Sequence, residues 1–238
     1  MKFRVVICAA AILAGLTSCN KDDLAPPVLP STRMAVINAS ADVFNILQNG
    51  NRINGEASLY PGGAMGYTAV TAGEQNYQLK RMGSPDVALN MPMTLDTLNN
   101  YSFFVTGLSP EEVFLLNDKL VFDVDTVAKV RFVNASPEEI NLDLMVRNII
   151  DEEEEEEEED TTIVTTRIDN VAFKTASAFT NAVTGNIEIK IFRNGTSNAL
   201  LTDTISLQAR QGYTIFAKGR LNQSGDRAFG HGVFIHQQ

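Results

Sequence analysis

The chain has 238 residues, a formal net charge of −10, two cysteines, two histidines and no tryptophan. Its acidity is local, because residues 151–160 contribute −10 and residues 1–18 contribute +2, which leaves only −2 for all other residues. The sequence contains neither a basic patch nor basic residues interleaved with aromatic ones, which argues against nucleic acid as a partner.

The N-terminus has the order of a signal peptide. Lys2 and Arg4 precede an apolar run over residues 5–16, and Leu-Thr-Ser-Cys follows at 16–19. The run is too short for a transmembrane helix. The ending resembles the bacterial lipobox, which predicts removal of residues 1–18 and lipidation of Cys19. The alternative is an ordinary secretory signal peptide with an incidental cysteine.

Residues 19–32 are predicted to form a lipid-anchored tether. Acyl chains on the first residue would attach the protein to a membrane without spanning it, and three prolines favour an extended spacer. Asn-Lys-Asp-Asp at 20–23 resembles the signal that one Gram-negative phylum uses to export lipoproteins to the cell surface, although a solvated charge cluster explains it equally well. We expect the protein to be lipid-anchored in the outer membrane, on either its cell-surface or its periplasmic face.

Three blocks of sequence recur in the same order along the rest of the chain. Val-Ile-Asn-Ala-Ser at 36–40 returns as Phe-Val-Asn-Ala-Ser at 132–136, and residues 95–107 align without a gap to 207–219. A shorter Val-Thr block recurs between them. Self-similarity of this kind indicates a duplication of about 100 residues.

Both copies show the pattern of β-strands. Ile187, Ile189 and Ile191 alternate with polar residues, which is the period of two expected of half-buried strands. About seven short strands per copy favour an all-β fold of two tandem immunoglobulin-like or transthyretin-like β-sandwich domains. We place them at 33–120 and 128–238 and expect each to have its own core.

Tyr101 and Tyr213 occupy equivalent places, six residues after a leucine and at the start of an apolar run. This resembles the tyrosine corner of immunoglobulin-like sandwiches, in which the phenol bonds back to the backbone. We therefore expect a structural role for both tyrosines and not a catalytic one.

Together these blocks resemble domain-of-unknown-function family 4397 (DUF4397). The resemblance rests on Val-Arg-Phe-Val-Asn-Ala-Ser-Pro at 130–137, the strand at 142–146 and Tyr-Ser-Phe-Phe-Val at 101–105, and it covers both copies. The chain departs from the pattern at Ala41, where proline is usual, and by the acidic insertion in the second copy. The resemblance implies a secreted or lipid-anchored β-sandwich and brings no established activity.

No catalytic constellation is apparent in the sequence. Cys8 lies in the signal peptide and Cys19 under the lipid, so the mature chain would hold no free thiol and no disulfide. His231 and His236 are five residues apart in an apparent strand, which places them on opposite faces, and ordinary surface or edge positions are expected. We predict no enzymatic activity, no cofactor and no metal site.

Calcium is the inorganic alternative, because it takes loop carboxylates as ligands. Six acidic residues lie near the domain junction or follow the Asn-Ala-Ser turns, but they match no defined loop motif, and turn formation explains them with fewer assumptions. These residues are Asp42, Asp118, Asp123, Asp125, Glu138 and Glu139.

Three tyrosines could form an exposed sugar-binding platform, namely Tyr60, Tyr67 and Tyr77. Tyr77 takes the same alternating position as Ile187, so core and rim positions are the simpler interpretation. The glutamates at 152–159 repel one another, and we predict a disordered, solvated insertion over residues 151–160. Loose capture of cations or of a basic partner is its functional alternative.

Four Asp-Thr triplets, most of them with an apolar third residue, resemble the acceptor site for protein O-glycosylation in the same phylum. They predict modification at Thr97, Thr126, Thr161 and Thr204. We therefore favour a non-enzymatic lipid-anchored cell-envelope protein that acts as an adhesive, scaffolding or interaction module. This interpretation rests on the predicted anchor, on the duplication and on the lack of a catalytic constellation in the sequence. The alternatives are a glycan-binding accessory lipoprotein of an outer-membrane nutrient-uptake system and a hydrolase, which would need a carboxylate pair.

Overall fold

A computed structural model describes residues 29–138, 140–149 and 163–236. The predictions for the signal peptide, for Cys19 and for most of the tether lie outside these residues, as do those for Glu139, the insertion at 151–160 and Thr161. Within the described ranges, no helix has the length and apolarity needed to cross a membrane.

The described residues form sixteen strands in four sheets of four, which confirms the prediction of an all-β fold with two tandem sandwiches. The first sandwich contains β1 (Ser31–Asn38), β2 (Phe44–Gln48), β3 (Asn51–Arg52), β4 (Ala64–Thr71), β5 (Gly73–Arg81), β6 (Leu89–Leu95), β7 (Asn100–Val105) and β8 (Val113–Asn117). The second contains β9 (Ala128–Asn134), β10 (Leu142–Asn148), β11 (Thr165–Val171), β12 (Thr180–Ala182), β13 (Gly185–Arg193), β14 (Ala199–Leu207), β15 (Gly212–Lys218) and β16 (Gly230–His236). Each sandwich thus has eight strands where the sequence predicts about seven.

The two sandwiches share one strand order and one set of pairing directions. In the first, the sheets run β4-β1-β7-β8 and β3-β2-β5-β6, and in the second they run β12-β9-β15-β16 and β11-β10-β13-β14. The central pairs β1/β7 and β9/β15 are parallel, whereas all other pairs are antiparallel. Because parallel strands end at the same edge of a sheet, the loops that follow β1 and β7 lie together, as do those that follow β9 and β15.

Each sandwich has its own core between its two sheets. Ile187, Ile189 and Ile191 are fully buried in the second core, which confirms the alternation predicted from the sequence. In the first core, Tyr77 is fully buried and its hydroxyl accepts a hydrogen bond from Gln48 Nε2 at 2.9 Å. Burial raises the pKa of Tyr77 to about 12. Core placement of Tyr77, preferred from the sequence, is therefore confirmed.

A third apolar cluster joins the two sandwiches. The outer face of sheet β4-β1-β7-β8 packs against the outer face of sheet β12-β9-β15-β16, so the protein has four layers and two of its sheets are buried on both faces. The Phe104 and Phe216 rings meet edge to face, with centroids 5.7 Å apart. The buried members of this cluster are Ala35, Ile37, Ala39, Phe104, Val133, Ala135, Phe216 and Phe234.

Both predicted tyrosine corners are present. The Tyr101 hydroxyl accepts a hydrogen bond from the Asp96 backbone N–H at 3.2 Å, and the Tyr213 hydroxyl accepts one from the Gln208 N–H at 2.9 Å. Both side chains are buried. The two tyrosines therefore tie the loop before a central strand to that strand, which confirms their structural role.

Tyr213→Phe should lower the free energy of unfolding by about 1–3 kcal/mol, because it leaves the Gln208 N–H without its partner. Urea denaturation of the full chain measures the change. Tyr60→Phe is the matched control, since Tyr60 is 57% exposed and, among the described residues, its hydroxyl has a hydrogen-bond contact only with the Met82 sulfur, at 3.9 Å. Equal losses of unfolding free energy in the two variants would contradict a stabilising hydrogen bond at the Tyr213 corner.

Candidate functional site

The repeated Asn-Ala-Ser motif shapes a loop. In the first sandwich, Asn38 is fully buried, and its Nδ2 donates hydrogen bonds to the carbonyls of Asp42 and Leu59 at 2.7 and 3.0 Å. Its Oδ1 accepts a bond from the Ser40 N–H at 2.9 Å. One side chain thus holds the turn after β1 and the incoming segment before β4.

Asn134 makes the equivalent hydrogen bonds in the second sandwich. Its Nδ2 donates to the carbonyls of Ile140 and Val171 at 2.8 and 3.0 Å, and its Oδ1 accepts from the Ser136 N–H at 3.2 Å. The hydroxyl of Ser136 donates to the Gly219 carbonyl at 2.7 Å, which ties this turn to the loop after β15. The motif therefore determines the position of the loops and offers no free group for chemistry.

These loops form the walls of an open cleft between the two sandwiches. Its volume is about 550 Å³. Its walls are residues 39–42, Arg81, residues 106–109 and Glu112 of the first sandwich, and Pro137, Gly219, Arg220, Gln223, Asp226 and Arg227 of the second. We call this feature the inter-sandwich cleft. It lies at the ends of the parallel central strands of both sandwiches, and its volume is in the usual range for small-ligand sites.

Charged side chains of both signs line the inter-sandwich cleft. Arg81 lies 3.6 Å from the Asp42 carboxylate, and Arg220 donates to the Pro137 carbonyl at 2.6 Å. Glu112 accepts a bond from the Ser109 N–H at 3.3 Å. Arg227 is exposed at the cleft. Among the described residues that line the cleft, none is aromatic.

A buried polar network joins the sandwiches elsewhere in their interface. Its central ion pair is Arg131–Asp118, with 2.5 Å between Nη2 and Oδ1 and side chains that are 3% and 1% exposed. Asp118 Oδ2 accepts from the hydroxyls of Tyr67 and Ser102 at 2.6 and 2.7 Å. Asp118 follows β8 and Arg131 lies on β9, so the pair spans the two sandwiches. We call the following set the interface network: Tyr67, Ser102, Asp118, Arg131, Thr214 and His236.

The hydrogen bonds of the interface network form a closed cycle. Arg131 Nε donates to Thr214 Oγ1 at 2.7 Å, and this oxygen lies 2.6 Å from His236 Nε2. His236 Nδ1 is 2.7 Å from the Tyr67 hydroxyl, which donates to Asp118. All donors find acceptors only if His236 is neutral with its proton on Nδ1, so that Thr214 donates to Nε2.

Burial keeps His236 in this neutral form. Desolvation by burial, together with a smaller contribution from the neighbouring Arg131 charge, lowers the pKa of His236 to about 3. Burial also raises the pKa of Tyr67, and the Asp118 carboxylate adds to that shift. Both groups therefore stay uncharged at neutral pH and serve as hydrogen-bonding partners.

The sequence predicts ordinary surface or edge positions for both histidines, and for His236 the strand is at an edge but a surface position is wrong. The strand β16 is at a sheet edge, but His236 is only 2% exposed because the first sandwich covers this face. His231 is partly buried and its Nε2 is 3.7 Å from Asp203. The two side chains do not share a site.

The acidic residues weighed as calcium ligands are dispersed. Asp118 belongs to the interface network, Asp123 pairs with Lys129 at 2.5 Å, and Asp125 pairs with Arg210 at 3.3 Å. In the described part of the chain, no three His, Cys, Asp or Glu side chains are grouped to hold a metal.

The remaining candidate residues also lie apart. Tyr60 is exposed, Tyr67 lies in the interface and Tyr77 in the core, so the three tyrosines form no common platform. Thr97, Thr126 and Thr204 are exposed, on the turn before β7, in the linker before β9 and on β14. O-glycosylation at these three sites stays a prediction, as it does for Thr161.

The fold places the protein in a structural class, the tandem β-sandwich, with an open cleft between its two domains. Residues 32–145 match the profile of a family described as "Domain of unknown function (DUF4397)". The match spans the first sandwich and ends within β10, and it supports the family resemblance seen in the sequence. No curated protein matches the chain.

Three solved structures are similar to the chain at low sequence identity. A family 26 carbohydrate-binding module from Eubacterium rectale, in complex with maltoheptaose, has 11% identity over 85% of this chain and 96% of its own, with a TM-score of 0.26. A protein assigned to cell adhesion from Parabacteroides distasonis has 9% identity over 89% and 99%, with a TM-score of 0.24. A leucine-rich repeat protein from Bacteroides thetaiotaomicron has 12% identity over 78% and 26%, with a TM-score of 0.21. TM-scores this low do not indicate what this chain binds.

Proposed function

We propose that this protein is a non-enzymatic, lipid-anchored interaction module of the cell envelope, built from two copies of the DUF4397 domain. The inter-sandwich cleft is the observation that carries the proposal. Loops from both sandwiches meet there, and the apolar cluster and the interface network hold the sandwiches together. Because the walls of a preformed cleft are already ordered, binding of a partner does not lose conformational entropy from ordering these loops.

The anchor in this proposal rests on the N-terminal sequence. Lipid on Cys19 would place the protein at the outer membrane, and the proline-containing tether would hold the sandwiches off the bilayer. O-linked glycans at the exposed threonines are compatible with this location, because the described cleft lining does not include Thr97, Thr126 or Thr204.

A glycan-binding accessory role in nutrient uptake is the second candidate. The chemistry of the cleft walls favours it, since side chains such as Asp42 and Gln223 can exchange hydrogen bonds with sugar hydroxyls. Binding of purified glycans, with no envelope protein recovered at the cleft, would distinguish this role from protein scaffolding.

Photo-crosslinking in intact cells tests the proposal. With a benzophenone amino acid in place of Gln223 in the cleft, we expect defined crosslinked products, and with the same probe at Thr202, exposed on β14, we expect none. Cys19→Ser should abolish labelling by a fatty-acid probe and should remove the crosslinked products, because the protein leaves the membrane. Crosslinking that is equal at both probe positions would contradict a cleft-based interaction, and unchanged lipid labelling of Cys19→Ser would contradict the anchor.

A further inference from the structure

The loop after β15 holds two arginines side by side at the inter-sandwich cleft. The Arg220 N–H donates to the Arg227 carbonyl at 2.8 Å, and the Phe229 N–H donates to the Arg220 carbonyl at 2.8 Å. Gly219 has a φ of +67°, and a Cβ there would overlap the Ala228 carbonyl, so the loop closes tightly on itself. The backbone positions of Arg220 and Arg227 are therefore adjacent and defined.

The same loop is also attached to the turn after β9. The Leu221 N–H donates to Glu138 Oε1 at 2.8 Å, and Arg220 Nη1 donates to the Pro137 carbonyl at 2.6 Å. Pro137 itself lines the cleft. One edge of the Arg220 guanidinium is thus fixed by the protein, which orients the group and leaves its other N–H groups available.

In the described ranges, neither Arg220 nor Arg227 has a carboxylate within ion-pair distance of its guanidinium, although Asp226 of the same loop also lines the cleft. Arg81 on the opposite wall has Asp42 as a partner. The two residues are backbone neighbours and both line the cleft, so an anion bound between their side chains would reduce the repulsion of the two positive charges. A carboxylate fits this place well, because guanidinium groups form charge-assisted, paired hydrogen bonds with it.

We propose that the inter-sandwich cleft binds an acidic saccharide, with Arg220 and Arg227 holding the carboxylate of a uronic acid unit. This inference rests on the interaction role proposed above and assigns its ligand class. The described lining contains no aromatic ring for a neutral sugar to stack on, so affinity must come from ionic and polar contacts. Asp42 and Gln223 are the groups available for the hydroxyls of the same ligand.

An acidic peptide would present the same carboxylate, but the cleft suits it less well. Peptides commonly bind to sandwiches by adding a strand to a sheet edge. The cleft walls are loops at the ends of central strands and offer no such edge. The saccharide is therefore the better match, and the peptide is an outcome of the test.

The test is titration of the full chain carrying Cys19→Ser, which avoids the lipid, with trigalacturonate, maltotriose and tetraglutamate in parallel. Calorimetry measures affinity, and amide chemical shifts locate the site. We expect trigalacturonate to bind and to shift the resonances of residues 219–229, with affinity that falls as salt rises. Maltotriose should not bind.

Arg227→Gln should weaken binding of trigalacturonate at least about tenfold, the effect of losing one charge-assisted contact. Arg220→Gln should do the same. Arg167→Gln is the matched control, because this exposed arginine pairs with Asp169 on β11, away from the cleft, and it should leave affinity unchanged. Thermal melting of each variant verifies the fold.

Absence of trigalacturonate binding, or binding that Arg227→Gln leaves intact, would overturn the proposal. Preference for tetraglutamate would show that the cleft recognises peptide carboxylates and would also overturn it. In either case, crosslinking at Gln223 to an envelope protein would leave the proposed interaction function standing, so the two failures can be told apart.

Discussion

Replacing Arg131 by methionine should lower the free energy of unfolding by about 3–5 kcal/mol, the cost of removing one partner of a buried ion pair. The Asp118 side chain is 1% exposed, and its Oδ1 has no hydrogen-bond partner apart from the Arg131 guanidinium in the described part of the chain. Methionine fills a similar volume but leaves that oxygen charged and without a partner. Urea denaturation of the full chain measures the loss.

A double-mutant cycle separates the ion pair from its surroundings. The double variant Arg131→Met, Asp118→Asn should recover part of the loss, since no uncompensated charge is then buried. The exposed pair Arg167–Asp169, with side chains 50% and 56% exposed, is the matched control. Arg167→Met should cost no more than about 1 kcal/mol. A comparable cost for the two arginines would show that the interface pair is solvated and does not join the sandwiches.

Acidification from pH 7 to 4.5 should destabilise the protein by about 2–3 kcal/mol through His236 alone. The pKa of His236 is lowered to about 3 in the folded protein, from 6.5 for a free histidine. Between these values the unfolded chain binds a proton that the folded protein does not. Stability from this group is therefore fully present above pH 6.5 and is lost as the pH falls towards 3.

Comparison of variants isolates the His236 contribution from that of the carboxylates. His236→Gln should remove most of the difference in unfolding free energy between pH 7 and 4.5, whatever its effect at neutral pH. His231→Gln is the matched control, because the pKa of His231 is also lowered, mainly by burial, but its neighbour Asp203 opposes the shift. An unchanged pH dependence in His236→Gln would mean that His236 can be protonated in the folded protein.

The local patterns of the sequence predicted a large part of the fold. The alternating isoleucines 187, 189 and 191 and the two tyrosine corners are features of single strands and of short loops, and the structure places them as expected. Residues close in sequence determine these features, so a single sequence contains the information.

The packing of the two sandwiches against each other was not predicted. The strands β7 and β9 are buried on both faces. In the sequence of β9, however, Lys129 and Arg131 alternate with apolar residues, which is the pattern of a half-exposed strand. The two cations are buried because Asp123 and Asp118 pair with them. The same packing accounts for the error on His236.

The sequence by itself determined the strand periods, the duplicated blocks and the turn chemistry of Asn38 and Asn134, because each depends on residues near one another in the chain or on a repeat. Only the tertiary structure decided which side chains share a site. Tyr67 and His236 are 169 residues apart and meet at 2.7 Å, and Arg131 meets its partners from the other sandwich across the interface. The cleft depends on the same packing, because its walls come from both copies and neither copy's sequence specifies how it lies against the other.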